Sequence, residues 1–305
     1  MEINNTDQKQ SIQERYNISP LVFGIVSLIT IFISYQLIGG IAIYTVGEFF
    51  GAGSSNFDRT ATMAGQLLFL LVPTFLMAKL LPYNFKEIFK LNKVSFILCL
   101  WAILGIFALM HISQIILLLQ AQIPLPESIK SNLYELKNAI EEVYKKLVYA
   151  DNIFELGLVI IVVAVVPSFC EEFLFRGLLQ HSFTAGLDAR KGIIITGLLF
   201  AVFHFNPFSF IALVIIGIYL CFLAYKTNSI IPSIVGHFSN NLAAVTVPYF
   251  LGRDDLVVIT EDTNTLFTVN DIISLAFIFL LSLGLFAVSL FMVLKHTAVY
   301  STTES

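Results

Sequence analysis

Two stretches of the chain, Pro20 to Val46 and Val94 to Ala121, contain no Asp, Glu, Lys or Arg at all. An apolar run of about 20 residues matches the hydrocarbon thickness of a bilayer. Inside lipid each backbone N–H and C=O must be satisfied within the segment, which leaves the helix as the only open-ended solution. Further apolar segments follow the same logic: Ala61 to Leu81, Ile153 toward Phe183, Gly192 to about Phe205, Phe208 to Tyr225, Ser229 to Phe250 and Asp271 to Leu294. The sixth and especially the fifth of the resulting eight are short for a full crossing. The predicted fold is therefore all-α, a polytopic transmembrane helix bundle of about eight spans. Composition agrees, because 12% charged residues and a mean hydropathy of +0.85 stand far from the roughly 25% charge of a soluble domain.

The segments between spans carry their own signals. Residues 1–19 read as a polar tail, and no short apolar leader with a small-residue cleavage site precedes the first span. Gly47 to Thr60 reads as a loop, with Gly51, Gly53, Ser54 and Ser55 as breakers. Tyr83 to Lys93 is short and basic and reads as an interfacial helix. Glu127 to Tyr149 places Leu133, Leu136, Ile140, Val143 and Leu147 at helical spacing among eight charged residues, the pattern of an amphipathic helix between spans 3 and 4, outside the hydrocarbon. Gly252 to Asn270 reads as an acidic loop. The domain reading is one membrane-embedded domain over 20–295, with a chemistry-bearing core at about 153–250 and a short tail at 296–305. With eight spans both termini share a side. That side carries Lys9, Arg15, Lys79, Lys86, Lys90, Lys93, Arg190, Lys191, Lys226 and Lys295, against Arg59, four lysines of the amphipathic helix and Arg253 opposite. This excess predicts cytoplasmic termini, in an integral, multi-pass protein of a bacterial cytoplasmic membrane. The net charge of −4 implies no nucleic-acid partner. Cys99, Cys170 and Cys221 lie far apart in apolar stretches and read as packing residues.

Against this background a few polar groups stand out. Phe154 to Phe169 holds one charge, Glu155, and is followed by Cys170-Glu171-Glu172-Phe173-Leu174-Phe175-Arg176. Ionised groups at bilayer depth are costly and mark partners or function. Glu172 and Arg176 are i and i+4, so they share a helix face. Glu171 is turned about 100° away and has no counter-ion on its own helix, which makes it the candidate base. Pro167 should kink the helix just before the carboxylates. Two further intrusions are Phe200-x-x-x-His204 and His237-x-x-x-Asn241, with i, i+4 spacing that puts each pair on one face; Asn240 partly shares the second. A carboxylate with a histidine can activate water for attack on a carbonyl, while an Asn and a second His can stabilise the oxyanion. Glu171, His204 and His237 are also the residues that would hold a divalent metal such as zinc, although the soluble H-E-x-x-H motif is missing.

E-E-x-x-x-R, F-x-x-x-H and H-x-x-x-N, in this order on successive apolar segments, resemble the CPBP family of intramembrane proteases, which includes type II CAAX prenyl endopeptidases and bacterial Abi-type proteins. The resemblance covers residues 171 to 241. It implies that Glu171 and His204 activate water, that His237 and Asn241 stabilise the oxyanion, and that Glu172 with Arg176 holds the site in shape. It also implies a membrane protein or peptide substrate, prenylated in the CAAX case, and the metalloprotease label. Two other classes are a non-catalytic membrane partner or scaffold, for example in bacteriocin self-immunity, and an ion-coupled transporter with a relay through Glu171 and His204. The second of these lacks the paired broken helices of typical secondary transporters.

Overall fold

The computed structural model describes residues 11–50, 54–124, 126–252 and 267–303. They form a helical bundle with no strand among the described residues. The spans are α1 (Pro20–Phe49), α2 (Ser55–Ala78), α3 (Phe96–Ala121), then after the amphipathic α4 (Glu127–Val148), α5 (Ile153–Gly186), α6 (Ala189–Phe203), α7 (Phe210–Lys226), α8 (Ile231–Leu251) and α9 (Val269–Thr303). Five of these are long and apolar enough to cross a bilayer: α1, α2, α3, α5 and α9. The protein is an integral membrane protein.

Short polar side chains set several starts. Ser19 accepts from the Val22 N–H with Pro20 at the first helical position, Ser54 accepts from Phe57, Asn152 from Phe154 and Glu155, and Asp188 from Lys191. Each satisfies a donor that the first turn leaves open. These caps shorten the expected connections. Gly47 to Phe50 is still helical and the next helix begins at Ser55, so most of the predicted loop is helix. The tails are also shorter than expected. A Ser11–Glu14 capping box closes one helical turn at Ile12–Arg15, and the Gln13 N–H reaches the Leu80 carbonyl at 3.4 Å. Residues 1–10 lie outside the described part, as does most of the acidic loop with Asp254, Asp255, Glu261 and Asp262. At the other end α9 continues through Thr303.

The expected interfacial helix at Tyr83–Lys93 reduces to a single turn, Phe85–Ile88. Its apolar residues are anchors rather than a membrane-facing stripe. Ile88 and Phe89 are fully buried, and the chain reverses at Lys90 with φ 48°. Burial pushes the Lys90 amine down to about 8.

One core lies between α1, α2 and the second half of α5, around Ile31, Leu70, Phe89, Phe175 and Phe183. A second lies between α3, α7 and α9, around Leu98, Ile106, Leu220 and Val293. Helix α5 runs against α2 on one side and α8 on the other. Its outer end is fixed by Arg59 of α2, which is fully buried. Arg59 pairs with Glu155, bonds Asn56 Oδ1 at 2.9 Å and the Leu147 carbonyl at 3.0 Å, and reaches the Tyr149 carbonyl. This charge is spent on a clamp joining α2, the end of α4 and the start of α5.

Helices α6 and α7 cross closely because both lack a Cβ at the contact. A Cβ at Gly197 would meet the Ile218 backbone nitrogen at 2.8 Å, and one at Gly217 would meet the Gly197 carbonyl oxygen at 2.8 Å. Gly197→Ala is therefore expected to force the backbones apart and lower the melting temperature in detergent. Gly157→Ala, where nothing lies within 4 Å, should leave it unchanged or raise it, with Ala favoured by up to about 1 kcal/mol in a helix.

Candidate active site

Four π-helical turns occur among the described residues: Ile33–Gly39 in α1, Gln66–Leu71 in α2, and Ile160–Val165 and Phe173–Leu179 in α5. An inserted residue shifts the facing of everything that follows and opens the backbone ladder, which is why such turns recur at functional sites. The first α5 turn sits directly before Pro167, which has no N–H to give. The carbonyl four residues earlier, that of Val163, instead accepts from Asn241 Nδ2 at 3.1 Å. The carbonyl that Pro167 leaves open and the Asn241 side chain form one contact between α5 and α8.

Beyond Pro167, Glu172 and Arg176 are both fully buried and joined at 2.7 Å, as their spacing predicted, even though Arg176 lies in the second π-turn. The guanidinium also donates to the Gly217 carbonyl at 3.2 Å and stacks over the Phe200 ring at 4.4 Å. Glu172 Oε1 accepts in addition from His237 Nδ1 at 2.8 Å. A carboxylate only accepts, so His237 Nδ1 carries a proton, and in a neutral ring its Nε2 is then a lone pair. His204 has the same tautomer for a different reason: its Nδ1 lies 2.7 Å from the Phe200 carbonyl oxygen.

Both bare Nε2 atoms face Glu171. Its Oε2 is 3.8 Å from His204 Nε2 and 4.0 Å from His237 Nε2, and it is buried without a hydrogen-bond partner. Glu171, Glu172, His204 and His237 thus come together, with Arg176 behind them. Phe200 packs under both imidazoles, at 4.6 and 5.6 Å. Helix α6 stops at Phe203, one residue before His204, after 15 residues, and the chain turns back at Phe205 with φ 48°. Asn241 reaches α5 through Val163 and Asn240 bonds Asn241 Oδ1 at 3.1 Å. Cys170 is packed and fully buried.

The donor set has the chemistry of a zinc site, but its present spacing is that of hydrogen bonding through water. Donors around tetrahedral zinc at about 2.0–2.1 Å lie roughly 3.4 Å apart. At 3.8 and 4.0 Å an ion would have to sit almost on both lines at once. No three His, Cys, Asp or Glu side chains among the described residues stand in a metal-holding arrangement. A water about 2.8 Å from both Glu171 Oε2 and either imidazole nitrogen fits these two distances.

Apolar-run reading passed over two residues here. Gln66 is 7% exposed and lies in the α2 turn that packs on Val166–Glu172. Gln66 Oε1 is buried with no hydrogen-bond partner, and Tyr35, in the α1 turn, packs against the core that includes Cys170. A lone Gln in an apolar span was the available signal.

Residues 153–243 match the family model of Rce1-like type II CAAX prenyl endopeptidases, a match consistent with the CPBP resemblance. Every motif residue falls inside it. No curated protein and no solved structure gives a significant match.

The buried pair sets a stability test. Removing one partner of a buried ion pair strands the other and costs about 3–5 kcal/mol. Arg176→Met and Glu172→Gln should therefore both be strongly destabilising by thermal or denaturant unfolding, because each leaves the remaining group buried without its counter-charge.

Proposed function

We propose that the chain is an intramembrane endopeptidase that hydrolyses a peptide bond of a membrane-associated or prenylated substrate. The observation that carries this reading is the buried, unpartnered Glu171 Oε2 facing two imidazole lone pairs. Water held between them gives a proton to Glu171 as its oxygen attacks the substrate carbonyl carbon. The carbonyl oxygen becomes an oxyanion. Collapse breaks the C–N bond, and the leaving amine takes the proton back from Glu171. His204 orients the water and shares its proton. His237, backed by the Glu172 carboxylate, is able to carry a proton as imidazolium and then presents an N–H at Nε2. Arg176 and Asn241 hold α5 against α7 and α8, so the same residues keep the shape in which the chemistry occurs.

The match to a CAAX-type protease family supports the substrate class: a peptide carrying an isoprenoid next to the cleaved bond, drawn from a bilayer. A divalent metal at Glu171, His204 and His237 is a variant of this reading that requires the donors to close by about half an ångström. The surplus of Lys and Arg on the side of the termini supports cytoplasmic ends in a bacterial membrane.

The experiment is cleavage of a mixed prenylated and unprenylated peptide set by purified protein in detergent, with and without chelator. Glu171→Gln is expected to fold and to lose about 10²–10⁴-fold in kcat. Loss of wild-type activity on chelation, restored by zinc, would assign the three donors as ligands. The absence of any Glu171-dependent product would favour the non-catalytic partner reading. His204→Gln should lower kcat as well, with a smaller loss than Glu171→Gln, read in the same assay.

A further inference from the structure

Three side chains from two helices end on backbone carbonyls of α7. Arg176 of α5 donates to the Gly217 carbonyl at 3.2 Å, and Gln180, one turn further along α5, donates to that of Cys221 at 2.9 Å. Ser233 Oγ of α8 donates to the Leu220 carbonyl at 2.8 Å. A carbonyl oxygen has two lone pairs, so it can take a side chain beside its helical N–H. Arg176, Gln180 and Ser233 are all fully buried. The carbonyl only accepts, so the Gln180 amide turns Nε2 toward Cys221, and its Oε1 is left buried without a partner. A buried amide held half-satisfied calls for a reason.

The spacing supplies one. From Arg176–Gly217 to Gln180–Cys221 both helices advance by one turn, so α5 and α7 run in the same direction in a fixed register. Leu220 and Cys221 are consecutive, and α8 holds the first while α5 holds the second. The two helices are thereby indexed to each other across α7. Ser233 lies one helical turn before His237, and Gln180 lies on α5 one turn beyond Arg176. Within the site, Glu171 Oε2 and His237 Nε2 stand 4.0 Å apart, and His237 Nδ1 meets Glu172 at 2.8 Å. A slip of one residue along a helix is 1.5 Å of rise, and misplacing a reacting group by about 1 Å can cost about 10²-fold in rate.

We propose that Gln180 and Ser233 are positioning residues for the hydrolytic reaction: they fix the heights of α5 and α8 on α7 and so set the separation of Glu171 from His237. This rests on the protease reading and deepens it. Neither side chain is in contact with Glu171, His204 or His237 through a hydrogen bond; both act through the α7 backbone. The Glu172–His237 bond joins α5 and α8 inside the site, and the two α7 bonds constrain the same helices outside it.

The test uses the full chain in detergent and an internally quenched farnesylated CAAX peptide. Wild type, Glu171→Gln, Gln180→Met, Ser233→Ala and Ser289→Ala are compared by kcat, KM and melting temperature. Gln180→Met keeps the volume and removes the donor. Ser289→Ala is the control: this buried hydroxyl of α9 donates to the Trp101 carbonyl of α3 at 2.7 Å and meets the Tyr219 hydroxyl at 3.2 Å, without a bond to an α7 carbonyl. Gln180→Met and Ser233→Ala are each expected to lower kcat about tenfold, with KM within about twofold of wild type. The ring nitrogen chemical shifts of His237 should move in both. Ser289→Ala should leave kcat, KM and those shifts unchanged, whatever its effect on melting temperature. If Gln180→Met fails to fold, Ser233→Ala, which removes a single oxygen and gains helix propensity, carries the test. A kcat within about twofold of wild type for either folded variant, beside an inactive Glu171→Gln, overturns this inference and leaves the protease reading standing. An equal fall in kcat for Ser289→Ala does the same. Absence of Glu171-dependent cleavage by wild type removes both.

Discussion

The structure depends on one buried ion pair. Glu172 and Arg176 carry full charges at a depth where neither has water, and a buried charge is tolerated only when paired and hydrogen-bonded. Each is held by more than the other. Arg176 takes the Gly217 carbonyl and the face of Phe200, and Glu172 takes the Nδ1 proton of His237. The pair therefore joins α5 to α6, α7 and α8 at a single level. It also sets the His237 tautomer, and through it the face that His237 presents to Glu171. Charge neutralisation and preparation of the site are one arrangement.

Backbone irregularity does the rest of the positioning. A regular helix repeats its facing every 3.6 residues and would spread Tyr35, Gln66, Glu171 and Arg176 over faces fixed by spacing alone. The π-turns at Ile33–Gly39, Gln66–Leu71, Ile160–Val165 and Phe173–Leu179 change that facing locally. They also leave carbonyls to be satisfied by side chains, as Asn241 does at Val163. In a bilayer, broken ladders are tolerated only where protein groups repair them, so the repairs and the site fall in the same place.

Much of this was legible in the sequence, and the reasons are specific. Uncharged runs the length of a bilayer announced the helices, and the i, i+4 spacings of Glu172–Arg176, Phe200–His204 and His237–Asn241 announced the faces. Glu171 was singled out because it had no partner on its own helix, and in the fold its Oε2 is buried without a hydrogen bond. Local capping was harder to weigh: the breakers near Ser54 suggested a longer loop than the Ser54 cap allows. Tyr35 and Gln66 were missed because π-turns carry no composition signal and long-range packing decides what they face. Arg59 counted as a loop charge in the topology argument, yet its partner, Glu155, is 96 residues away. Sequence distance of that order hides a pairing that depends on where helix ends meet.

The central claim is that the Glu172–Arg176 pair fixes the imidazole of His237 so that a bare Nε2 confronts Glu171. The most direct measurement is the tautomer of His237, from ring nitrogen chemical shifts by NMR of histidine-labelled protein in lipid. The account predicts a neutral ring protonated at Nδ1, lost as a single tautomer when Glu172 is replaced by Leu. A proton on Nε2 with Nδ1 bare in the wild-type protein would contradict it, since the Glu172 carboxylate would then face a lone pair.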